Sequence, residues 1–68
     1  MRAIRIEDRW IIEVSGQALG MVIRDESAYV FHAAAPEIWS LDRHIFRSLG
    51  AAERAVKDLF YARPAGKS

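Results

Sequence analysis

Apolar and polar positions alternate with period two through the first half of the chain, then change to helical spacing near its end. Ile4 and Ile6 alternate with Arg5 and Glu7, the pattern of a half-buried strand. After the polar break Glu7-Asp8-Arg9, Trp10, Ile12 and Val14 alternate with Ile11 and Glu13. Ser15-Gly16-Gln17 is a turn signal, and Leu19, Met21 and Ile23 alternate with Gly20, Val22 and Arg24 beyond it. A two-residue Gly16-Gln17 loop pairs Val14 with Leu19, Ile12 with Met21 and Trp10 with Ile23, all on one face.

Asp25-Glu26-Ser27 is the next break, and Ala28 to Ala34 forms a further strand. A three-residue loop puts Tyr29 and Phe31 on the core face and Val30 and His32 on the other, whereas a two-residue loop swaps them. A three-residue loop at the first break likewise turns Ile4 and Ile6 to the core, opposite Ile12 and Trp10. Pro36 can open a single helical turn through Leu41, and His44-Ile45-Phe46 reads as a short extended piece. Trp39, Leu41 and Phe46 are expected to close the end of the core.

Ser48 is a natural N-cap, and Leu49, Ala52, Val56, Leu59 and Phe60 form one stripe at helical spacing. Glu53 with Lys57, and Arg54 with Asp58, are opposite charges one turn apart. Pro64 and Gly66 are expected to end this helix near Ala62, leaving residues 64–68 as a flexible tail. The expected fold is α+β: a three- to four-stranded antiparallel β-meander with one C-terminal helix packed on one face, a single domain over residues 1–63.

Composition sharpens this reading. A chain of 68 residues makes one small domain of modest stability, and its 51% hydrophobic content suffices for a core. It has no cysteine, which excludes disulfides and thiolate metal sites. No apolar run reaches membrane-spanning length, and charges interrupt the first residues, so no membrane contact and a cytoplasmic location are expected. The net charge of +1 disfavours a protein held to nucleic acid mainly by charge.

Candidate chemistry is sparse. Gly66-Lys67-Ser68 imitates the end of a phosphate-binding loop, but Tyr61 stands where the motif needs its first glycine. Ser40, Asp42 and His44 would lie about 7 Å apart on an extended segment, too far apart for a catalytic triad. His32 and His44 alone are too few for a metal site. The carboxylate pairs Glu7-Asp8 and Asp25-Glu26 sit in turns, where solvent rather than acid–base work explains them. A non-catalytic chain without metal or cofactor is therefore expected.

Two surfaces remain. On the sheet face away from the helix, Ile11, Val22 and Val30 gather around Gly20, where water should favour polar residues. That patch predicts self-association as a homodimer, or docking of a protein partner. Rim hydrogen bonds would come from Arg5, Arg24 or Arg43.

The alternative is nucleic-acid binding through Arg43, Arg47, Arg5 and Arg24. Strands followed by a helix entered through Phe46-x-Ser48 and then Ala52-Glu53-x-Ala55 resemble, over residues 10–60, the arm-type DNA-binding domain of phage integrases. The resemblance implies a sheet that enters the major groove. That family's sheet is strongly basic, whereas Glu13, Asp25 and Glu26 sit on or beside this one.

Overall fold

The structure, a computed structural model, describes residues 1–62. The expected helix stop at Pro64, the tail and Gly66-Lys67-Ser68 lie outside the described residues. Five strands follow one another in a single antiparallel sheet whose spatial order is the chain order. They are β1 (Arg2–Ile6), β2 (Arg9–Val14), β3 (Gln17–Asp25), β4 (Ala28–Ala33) and β5 (Ile45–Phe46). A 3₁₀ segment, Pro36–Leu41, links β4 to β5, and helix α1 spans Leu49–Ala62. The fold is the expected α+β arrangement, with both short outer strands joined to the sheet.

All three hairpins turn on two residues. Ile6 pairs with Arg9, Val14 with Gln17 and Asp25 with Ala28. Glu7, Ser15 and Glu26 open these loops with φ of 56°, 52° and 58°, and Gly16 follows at 77°. Positive φ at both Ser15 and Gly16 is the type I′ geometry that suits the right-handed twist of the flanking strands. The loop therefore sits one residue earlier than the expected Gly16-Gln17.

That shift alone keeps Leu19 on the core face, opposite Ile12. A bulge then changes the phase of the strand beyond it. Ile12 pairs with Gly20 and Glu13 with Ala18, leaving Leu19 as the extra residue on β3. Both Leu19 and Gly20 are buried. Beyond the bulge, Val22 pairs with Trp10 and with Phe31 and is 0% exposed. Val22 thus belongs to the core, not to the outward patch, while Met21 and Ile23 leave the core face to which alternation assigned them.

The first hairpin differs in loop length instead. Arg9 joins the ladder instead of the loop, so Ile4 pairs with Ile11 and Ile6 with Arg9, both directed away from the helix. At the third hairpin the short loop combines with the shifted phase of β3. Tyr29 and Phe31 therefore face the core after all, with Val30 and His32 outside.

The core consists of Ile12, Val14, Leu19, Val22, Phe31, Ala35, Ile38, Ala52 and Val56. Full burial of each large apolar side chain contributes about 1.5–3 kcal/mol. Helix α1 brings Ala52 and Val56 into this cluster, with Leu49, Leu59 and Phe60 packed around them. Ser48 caps the helix, its Oγ accepting the Ala51 N–H at 3.0 Å. Neither Glu53–Lys57 nor Arg54–Asp58 closes as an ion pair among the described residues.

The 3₁₀ segment is kinked at Ile38 (φ −121°, ψ 25°), which delivers Ile38 to the core. Trp39 is 61% exposed instead of covering the core, whereas Leu41 and Phe46 pack against it as expected.

Candidate interaction surface

Side chains alternate across a strand, so the ladder pairs sort the sheet into two faces. The helix covers the face that holds Trp10, Ile12, Val22 and Phe31. The other face has no cover among the described residues, and its side chains form three rows across the strands.

The middle row is Ile4, Ile11, Met21 and His32, each paired with the next. Toward the Glu7-Asp8 and Glu26-Ser27 loops runs the row Ile6, Arg9, Ile23, Val30 and Ile45. Toward the Ser15-Gly16 loop lie Arg2, Glu13 and Ala18. Ile6 is 48% exposed and Ile45 70%, while Ile4, Ile11, Met21, Ile23 and Val30 partly shield one another. An antiparallel sheet with a wet face ordinarily places polar residues there. Here the wet face is mostly branched aliphatic.

Relief and charge vary along the face. A concavity of about 320 Å³ opens among Ile11, Ala18, Gly20, Met21, His32, Ala33 and Ala34. It exists because Ala18 and Ala34 are short and because the bulge turns Leu19 inward. The Arg2 Nε lies 3.4 Å from a Glu13 carboxylate oxygen at this low end. At the other end Arg9 has no ion-pair partner among the described residues.

Of the residues the sequence singled out for contact, Ile11 and Val30 stand on this open face and Val22 does not. Ile4, Ile6, Met21, Ile23 and Ile45 were missed. The signal that could have found Met21 and Ile23 is Gly20, because an isolated glycine inside a strand often marks a bulge, and the bulge sets the phase of β3.

The arginines do not form one patch. Arg5 and Arg24 extend on the helix side, where each binds the carbonyl of a strained loop residue. Arg5 Nε donates to Glu7 O at 3.0 Å, and Arg24 Nε donates to Glu26 O at 3.1 Å. The same short device thus closes two hairpins. Arg5 also lies over the Trp10 ring at 5.8 Å, and Trp10 packs against Tyr29 at 5.7 Å. Arg43 and Arg47 flank β5, at the opposite sheet edge from β1.

The candidate triad is not assembled. Asp42 Oδ1 accepts the Ala33 N–H at 2.8 Å, and its other oxygen lies 3.9 Å from Arg43 Nε. Asp42 replaces a backbone acceptor where β5 has ended: the Phe31 N–H donates to His44 O at 2.9 Å just before it. His32 stands on the open face, whereas His44 packs near the Phe46 ring at 6.3 Å. No group of three or more His, Asp or Glu side chains gathers among the described residues. No helix among them is long and apolar enough to cross a membrane.

Comparison with protein-family models, with curated proteins and with solved structures gave no match. The likeness to integrase arm-type domains therefore stands on the order of elements and the few residues that carry it.

Proposed function

We propose that this chain is a non-catalytic interaction module that docks a protein surface through the open face of its sheet. The observation that carries the reading is the pair of adjoining rows Ile4–Ile11–Met21 and Ile6–Ile23–Val30–Ile45, left without cover by α1. Apolar patches of this continuity on small domains mark contact sites. The face is rigid, because every strand beneath it is fixed by its ladder. Affinity would therefore come from burial with little ordering cost. The lack of cysteine suits work in the reducing cytoplasm.

The cysteine-free chain offers a clean test. Single variants Met21→Cys, on the open face, and Lys57→Cys, on the exposed side of α1, are labelled with a maleimide in intact cells and again after purification under denaturing conditions. Shielding of the Met21→Cys thiol, with Lys57→Cys labelled freely, is the expected result. Equal labelling of both in cells overturns the docking reading.

A further inference from the structure

We propose that the occupant of the open face is a second copy of this chain, stacked face to face about a two-fold axis running along the row Ile4–Ile11–Met21–His32. The inference rests on the docking reading and specifies its partner.

The first argument is charge. On its outward side β2 presents Arg9, Ile11 and Glu13 in succession: positive, apolar, negative. A two-fold axis across the strands through Ile11 exchanges the two ends of this triplet. Arg9 of each copy then lies over Glu13 of the other, and Ile11 over Ile11. Arg9, without an ion-pair partner among the described residues of one copy, gains a carboxylate twice over, as an isologous contact requires. The other in-plane two-fold, parallel to the strands, lays β2 across β4. It sets Arg9 against Val30 and leaves it unpaired in an apolar contact, which is costly.

The second argument is relief. The same axis exchanges the tall row with the low end. Ile23 and Val30 of one copy descend toward Ala18 and Ala34 of the other, where the concavity of about 320 Å³ stands open. Large side chains thus meet small ones, the interdigitation by which stacked sheets approach to about 10 Å.

The third argument is area. Strands about 4.8 Å apart and about 17 Å long give a five-stranded face of roughly 400 Å² in projection. Corrugation by side chains raises two such faces to the ~1,000 Å² that a specific interface needs.

The test is sedimentation equilibrium of the full chain from micromolar to millimolar concentration. The samples are the unaltered chain, Arg9→Glu, Glu13→Arg and the double exchange, with circular dichroism confirming that each is folded. The expected result is a dimer that either single exchange weakens roughly tenfold or more and the double exchange restores to within about threefold. A companion measurement treats Met21→Cys with a short bis-maleimide. Met21 lies on the axis, so a covalent dimer should form there and not with Lys57→Cys.

A strict monomer at every concentration, or a dimer indifferent to the exchanges, overturns the second copy. If the Met21→Cys thiol is still shielded in cells, the docking reading stands with a different protein as occupant. If it is labelled freely there, both readings fall.

Discussion

The Phe31 ring lies over Gly20, filling the space that a side chain at position 20 would occupy. A Cβ built on Gly20 would fall 2.7 Å from Phe31 Cε1 and 2.5 Å from the His32 carbonyl oxygen. These residues are diagonal neighbours on the β3–β4 ladder, and the missing side chain lets the ring lie against the strand. Gly20→Ala should cost about 1–3 kcal/mol by overpacking. Because one contact is with backbone, Phe31→Leu should recover only part of the loss. Urea denaturation of the single and double variants checks this, and an unchanged Gly20→Ala midpoint would refute the contact.

The phase of β3 predicts opposite responses at adjacent positions. Val22→Ala removes core packing and should lower stability by about 1–2 kcal/mol. Ile23→Ala, on the open face, should cost less than about 1 kcal/mol in the isolated domain. Equal losses in dilute solution would mean that the bulge at Leu19 is misplaced.

At the loops, Glu26 holds a φ that costs an L-residue about 1–2 kcal/mol. Glu26→Asn keeps the loop carbonyl that accepts the Arg24 Nε and eases the backbone, so stability should rise by about 0.5–1 kcal/mol. Gly16→Ala should lose about 1 kcal/mol, although space for the methyl group is open. Thermal melts of both variants decide the matter.

Asp42 tests the capped edge of β4. Asp42→Ala leaves the Ala33 N–H without its acceptor and should cost about 1–3 kcal/mol. Asp42→Asn retains an oxygen in place and should cost clearly less. Hydrogen exchange at Ala33 should accelerate in the alanine variant and stay slow in the asparagine one. Equal exchange in both would remove Asp42 from the ladder.

Where one physical cue governed, the sequence was legible. Ser48 and the stripe from Leu49 to Phe60 located α1 because capping and helical period act within one segment. Strand positions were legible for the same reason. Which face each strand showed was not, because it depends on loop length to a single residue. Glu7-Asp8-Arg9 and Asp25-Glu26-Ser27 could each give up one member to a ladder, and period two turns that residue into a reversal of every side chain beyond it. Tyr29 and Phe31 face the core because the bulge at Leu19 and the short Glu26-Ser27 loop cancel, and Ile4 and Ile6 face outward because only a shortened loop applies. Ile11 and Val30 were found on the open face, but its extent was hidden behind the same ambiguity. The Arg5 and Arg24 bonds to loop carbonyls had no periodic signature at all.

The unpaired Leu19 gives β3 one residue of slack, and that slack sets the parity of the sheet. The same strand without its bulge would run an unbroken ladder from the Ser15-Gly16 turn, with Leu19 opposite Ile12 and Met21 opposite Trp10, carrying Met21 and Ile23 under the helix and Val22 into solvent. Two amphipathic frames are thus written into one strand, and the single extra residue at Leu19 selects which of them becomes the inside of the protein.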